Sequence, residues 1–256
     1  MTTALRIDRW CLYGLQTYNW GGFNGHFQLD PAPPTEVTVI SGDSGTGKST
    51  LMDAVSALLH PGRDFNRASS GSGSSPRSIP TYVRGRYGKD SDGRNTVYYD
   101  LRGGRATWSG VALTWCNIDG RTVTMFSAWY MNTHDDKPSA EVHGHIDGQF
   151  AITNLDPYTK SPHNAPVFKP AALREAFPGM TIAKNRTRNR QWLFEQFGMS
   201  DREKSLTDVL YRLQSSSEIP TVNWLFSGII LDEPEDLFAA VRESRSGWEK
   251  VRETYQ

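Results

Sequence analysis

One stretch constrains this chain more than any other: Val37-Thr-Val-Ile-Ser-Gly-Asp-Ser-Gly-Thr-Gly-Lys-Ser-Thr-Leu-Met52. It contains Gly42-x-x-x-x-Gly47-Lys48-Ser49, the pattern of a phosphate-binding P-loop. The β-branched run Glu36–Ile40 before it predicts a buried strand. After it, Leu51, Val55, Leu58 and Leu59 recur at helical spacing and predict a helix over Lys48–His60. Gly42, Gly45 and Gly47 permit positive φ and a close backbone approach to phosphates. With Asp43, Ser44, Thr46 and Thr50 they form an anion nest whose N–H groups converge at a helix N-terminus. Lys48 is expected to reach the β- and γ-phosphates of ATP or GTP, and the Ser49 hydroxyl to bind Mg²⁺. A chance glycine-rich turn does not match eight positions between a strand and a helix.

At 256 residues the chain holds one large domain or two small ones. The formal net charge is zero, so any nucleic-acid contact must come from local patches. The two cysteines, Cys11 and Cys116, lie far apart in sequence among apolar residues. That argues against a disulfide framework or a zinc site. The N-terminal residues lack the apolar core of a signal peptide, and no apolar run is long enough to cross a bilayer. A soluble cytoplasmic protein is the expectation.

Leu5 to Trp20 reads as a strand, Asn19-Trp-Gly-Gly-Phe-Asn-Gly25 as a turn and His26–Leu29 as a returning strand. The Gly/Ser run at 68–75 reads as a flexible loop. Ile79-Pro-Thr-Tyr-Val-Arg-Gly-Arg-Tyr-Gly88 is rich in arginine and aromatics. Thr96–Leu101, Ala106–Thr114 and Thr122–Met131 read as an antiparallel meander, a β-subdomain over about 95–131. A helical part is expected over about 170–216, including an amphipathic helix from Glu203 to Ser215 with Leu206, Val209, Leu210 and Leu213 on one face.

Two polar clusters invite further chemistry. His134, Asp135, Asp136, His143 and His145 suggest a metal site, with His143 and His145 on one strand face. Their default is surface histidines in a polar loop, because no further Cys or His completes a ligand set. Lys184, Arg186, Arg188 and Arg190 stand at alternate positions. In an extended segment they would form a basic stripe for DNA phosphates, with Trp192 as a stacking group. The alternative is a solvated charged loop or helix start.

The C-terminal stretch is the most telling after the P-loop. Asp232-x-x-Glu235 resembles a capping box with Pro234 in the first turn. Leu237, Val241, Ser244, Trp248, Val251 and Tyr255 then follow a heptad seam, the start of a coiled coil over 233–256. The pattern runs up to Gln256, as expected of the front piece of a longer protein. Ile229-Ile-Leu-Asp232-Glu233 also resembles a Walker B strand, with Glu233 as a catalytic candidate. The apolar run is short, no Leu-Ser-Gly-Gly-Gln-type signature precedes it, and the same residues serve as a helix start.

Taken together, these residues resemble the N-terminal head segment of SMC-like ATPases of the MukB/MksB/JetC type, the latter from bacterial Wadjet plasmid-defence systems. The likeness is carried by Asn19-Trp-Gly-Gly-Phe, Gly42–Asp53, Tyr82-Val-Arg-Gly-Arg-Tyr-Gly88, Phe197-Gly with Leu210-Tyr-Arg-Leu-Gln214, and Leu231-Asp-Glu-Pro. The resemblance implies an α/β P-loop ABC-type head N-lobe over 1–232. It also implies ATP and Mg²⁺ sandwiched between two copies of the head, with signature and Walker B supplied by a C-terminal lobe. ATP-driven pairing of heads would then drive loop extrusion on double-stranded DNA in the nucleoid. Kleisin and kite subunits would be partners, and a nuclease subunit would cut plasmid DNA. It further implies a Q-loop contact to Mg²⁺, for which Ser127 is the nearest polar residue and Gln149 a distant second. An arginine reaching the γ-phosphate is implied too, with Arg63 or Arg67 as candidates. Two other classes stay open: a complete ABC-type ATPase of repair or transport type using Asp232 and Glu233, and a non-catalytic nucleotide-sensing module.

Overall fold

Alternating apolar residues early in the chain produce strand β1, Trp10–Tyr18, which turns back into β2, His26–Leu29. Next comes the P-loop and helix α1, Lys48–Leu59, close to the expected span. Helix α2 (Ile79–Arg84) leads through Gly85 into β3 (Arg86–Ser91), and β4 (Thr96–Asp100) pairs back on it. Strands β5 (Thr107–Asn117), β6 (Thr122–Met131) and β7 (Ala140–Asp147) follow. The remaining elements are a 3-10 helix (Ile152–Thr159), α3 (Pro170–Ala176), β8 (Thr181–Ile182) and α4 (Arg186–Gln196). The computed structural model describes residues 9–31, 38–60, 65, 77–92, 96–160 and 167–199. All belong to the first of two compact units, Met1–Glu203. The second unit, Lys204–Gln256, lies outside the described residues, and with it the Glu203–Ser215 helix, Glu233 and the heptad seam. Arg63, Arg67 and the Gly/Ser run lie outside them too.

Six strands form one antiparallel sheet in the order β2-β1-β5-β6-β7-β8. Strands β5 and β6 are buried along almost their whole length, because both faces of the sheet are covered. On one face, Val111, Leu113, Met125 and Trp129 pack with Leu51, Ala54, Ala57 and Leu58 of α1 and with Trp20, Tyr82 and Val83. On the other, Ala112, Phe126, Ala128 and Val142 pack with Phe150, Ile152 and Leu155 around the 3-10 helix and with Leu173 of α3. A period of two along each strand sorts the residues between these cores.

Several expectations are corrected. The meander is not built from its first strand: β4 pairs only with β3, in a separate two-stranded ribbon, while β5 and β6 join β1 and β7. Alternation identifies a strand but carries no information on its partner, which tertiary packing chooses. Thr38–Ile40, within the expected P-loop strand, is not a strand here; Val39 is 81% exposed. A β-branched run becomes a strand only where a ladder forms, and the described sheets do not include these residues. The loop containing His143 and His145 is instead strand β7, and both histidines are buried. Finally, Cys11 and Cys116, distant in sequence, are direct partners in the β1–β5 register.

Candidate nucleotide-binding site

The P-loop joins the exposed segment Ser41–Thr46 to the N-terminus of α1. Gly42, Gly45 and Gly47 have φ of 154°, 85° and 97°, the positive values the pattern predicts. Thr46 Oγ1 donates to the Asp43 carbonyl at 2.9 Å and tightens the turn. Lys48 Nζ donates to the carbonyls of Gly42 at 2.5 Å and Asp43 at 2.7 Å, so its ammonium sits over the loop. Gly47 caps α1 in the left-handed region, without a side-chain cap bond and with no acidic residue in the first turn. The first-turn N–H groups and the helix dipole therefore favour an anion. Loop, ammonium and Ser49 together fit a nucleoside triphosphate with Mg²⁺.

The Asn19–Gly25 turn forms a collar around this helix N-terminus. Asn19 has φ of 49°, and its backbone N–H donates to Gly25 O while its Oδ1 accepts from Gly25 N–H, closing the turn. Trp20 is fully buried; its indole N–H donates to the Thr50 carbonyl at 3.0 Å and its ring stacks on Tyr82 at 4.5 Å. The Phe23 ring lies so close to Gly47 that a Cβ there would fall 2.8 Å from Cζ. Gly47 thus meets two demands, positive φ and this close approach.

Arg102 fastens the collar from behind. It is 1% exposed and donates to the carbonyls of Val83 (2.9 Å), Gly21 (2.7 Å) and Tyr82 (3.0 Å) and to Asn24 Oδ1 (2.6 Å). Burial, with Arg105 nearby, pushes its pKa down to about 10, so it stays charged at neutral pH. Arg84, also buried, does the same for another corner: it donates to the carbonyls of Arg105, Asn132 and Thr133. In both cases one guanidinium gathers oxygens from several separate segments of the chain.

One turn into α1, Asp53 is 1% exposed. Its Oδ2 accepts from Arg77 Nη1 at 3.0 Å and from the Tyr82 hydroxyl. Burial first, and then the Asp53 charge, push the Tyr82 pKa well above the usual phenol range. α2 itself begins with a capping box, Ser78 and Thr81, and Pro80 in its first turn. The Asp53–Tyr82–Arg77 cluster ties this helix to the P-loop helix. None of Asp53, Tyr82, Arg77 or Arg102 stands out as a site residue in the sequence. The available signal was Asn19-Trp-Gly-Gly-Phe, which reads as a turn.

The other predicted residues are placed elsewhere. Ser127 is fully buried in β6, with its hydroxyl bonded to His143 Nδ1 at 2.9 Å. Gln149 is exposed beyond β7. The His143 ring also faces Glu141 at 3.6 Å, and this contact holds the Glu141 carboxyl below its usual range. His145 Nδ1 bonds Asn189 Oδ1 at 2.8 Å and stacks on Trp192 at 3.7 Å. One face of the half-buried Trp192 ring is thereby covered by His145. No group of three or more His, Cys, Asp or Glu among the described residues could hold a metal ion. The extended basic stripe is also not formed. Asn185 caps α4, and helical rotation separates Arg188 from Arg186 and Arg190. Arg190 donates to the Leu59 carbonyl at 3.4 Å, and Arg188 to Gln191 at 2.8 Å.

A family model described as the P-loop containing region of an AAA domain matches residues 12–72. The match takes in most of β1, the collar, the P-loop and α1, the parts the geometry assembles around the anion nest. The match and the loop geometry support a P-loop nucleotide-binding region here; such regions bind nucleotide, usually with Mg²⁺, which suggests ATPase activity. No curated protein matches the chain. Among the described residues, no helix is long and apolar enough to cross a membrane.

Proposed function

We propose that this chain binds ATP with Mg²⁺ at Gly42–Thr50 and acts as the head segment of an SMC-like, condensin-type DNA motor. The observation that carries the ATP part is the uncapped N-terminus of α1 behind a positive-φ glycine loop, with the Lys48 ammonium over that loop. The loop N–H groups hold phosphate oxygens, Lys48 offsets their charge, and Ser49 supplies a hydroxyl ligand to Mg²⁺. A bound metal would be held by Ser49 and would supply neutralisation of the charge that develops in phosphoryl transfer.

The motor part rests on the family resemblance and on one surface. Beside α1 runs an apolar groove of about 380 Å³, lined by Leu12, Leu15, Leu29, Ile40, Leu51 and Val55. A further lobe of a P-loop head would have an apolar face to meet there. Pairing of two ATP-loaded heads, DNA loop extrusion, and service in plasmid defence or chromosome organisation follow as parts of the proposal. So do kleisin, kite and nuclease partners and a cytoplasmic, nucleoid-associated location.

Calorimetric titration with ATP and Mg²⁺ tests the first part. Wild type should bind, and Lys48→Ala should weaken binding at least about 100-fold, as loss of a charge-assisted phosphate contact implies. No binding by wild type overturns the ATP assignment. Steady-state hydrolysis by the chain alone tests the second part. Little turnover is expected; robust turnover abolished by Glu233→Gln would overturn the split-head proposal in favour of a complete ABC-type ATPase.

A further inference from the structure

Cys11 of β1 and Cys116 of β5 are the only cysteines in the sequence, and the sheet places them directly opposite one another. Directly opposed residues of an antiparallel pair point to the same face, with Cα atoms about 4.5 or 5.5 Å apart according to the kind of pair. Either spacing falls inside the range a disulfide spans, about 4.4–6.8 Å. Both cysteines are partly exposed, so a small oxidant can reach them. Cys11 also lines the apolar groove beside Leu51 and Val55 of α1.

The surrounding ladder gives the pair a mechanical meaning. The β1–β5 register shifts between Leu12 and Gly14, which isolates the short pairing of Trp10, Cys11 and Leu12 from the rest of β1. Tyr13, in the bulge, is exposed. Short ladders beyond a bulge open most readily. A covalent link here would secure the end of the strand that continues into the collar at Asn19.

We propose that Cys11 and Cys116 form a reversible, redox-sensitive staple between β1 and β5. A low-molecular-weight disulfide such as oxidised glutathione serves as oxidant. One cysteine thiolate attacks a glutathione sulfur, the glutathione S–S bond breaks, and a glutathione thiolate leaves. The opposed cysteine thiolate then attacks the protein sulfur of the mixed disulfide and expels the second glutathione. The two protein protons end on the two glutathione thiolates, and the cysteines are oxidised by two electrons as one glutathione disulfide is reduced. The second step is intramolecular between preset neighbours, so the mixed disulfide is short-lived.

The test is titration of the purified full chain with oxidised glutathione, followed by intact mass and a non-reducing peptide map. The expected product has lost two hydrogen masses and contains one peptide pair joining Cys11 to Cys116, reversed by dithiothreitol. Tm should rise by roughly 5–10 °C, as closure of a long loop predicts. Amide exchange at Cys11 and Leu12 should slow. Cys11→Ser and Cys116→Ser should each lose all three effects. Stable glutathione adducts on separate cysteines, or only interchain dimers, in the wild-type chain would overturn the staple.

Discussion

The P-loop and the collar that surrounds it are neighbours built by opposite rules. Ser41–Thr46 is exposed, glycine-rich and held by its own carbonyls and Lys48. The collar has Trp20 almost wholly buried, and the buried Arg102 guanidinium bonds both its Gly21 carbonyl and Asn24 Oδ1. The loop that must meet a ligand is tied only to itself, through Thr46 and Lys48, while the adjoining loop is tied to α1, α2 and Arg102. A binding nest works only if its amides face outward, and only a rigid surround keeps them there.

That contrast can be broken from the collar side first. Arg102→Met should destabilise the folded chain by about 3–5 kcal/mol, since Gly21 O and Asn24 Oδ1 would lose a buried charged donor. Chemical denaturation measures it, and a change below about 1 kcal/mol would mean water replaces the guanidinium. Asp53→Asn keeps an oxygen for Tyr82 but removes the charge facing Arg77. A loss of about 1–3 kcal/mol is expected in the same assay. Lys48→Ala, on the loop side, should leave stability within about 0.5 kcal/mol of wild type while ATP binding collapses. Equal losses of stability in Lys48→Ala and Arg102→Met would erase the distinction.

The smallest effect is a pH dependence far from both. Burial lowers the His145 pKa, outweighing the Asn189 hydrogen bond and the charges of Asp147 and Glu195. The folded state therefore prefers neutral His145, and the unfolded chain binds the proton more tightly. This stability is full above the unfolded histidine value of about 6.5 and is lost as pH falls through that value towards the depressed folded one. Tm measured from pH 7.5 down to 5 should fall in wild type, and His145→Gln should flatten the decline.

The P-loop was legible because its chemistry is local. Three glycines, Lys48 and Ser49 specify backbone angles and ligand groups within eight positions, and α1 follows from the spacing of Leu51, Val55, Leu58 and Leu59. Strands β1, β2, β5 and β6 were legible as strands for the same reason. Their partners were not: β4 left the expected meander for β3, and β7 was hidden behind histidines that looked like a surface loop. A strand buried on one side by Ser127 and Asn189 carries polar residues that, in sequence, resemble solvent-facing ones.

What the sequence determined by itself was the kind of ligand, an anion bearing phosphates, because glycine conformation and a lysine amine act over a few bonds. The tertiary structure alone decided what holds that site. Arg102 lies 81 residues from Gly21, Tyr82 lies 29 from Asp53, and Cys116 stands across the ladder from Cys11. Contacts of that separation depend on sheet order and register, which are set by burial across the whole core and leave no pattern in any one segment.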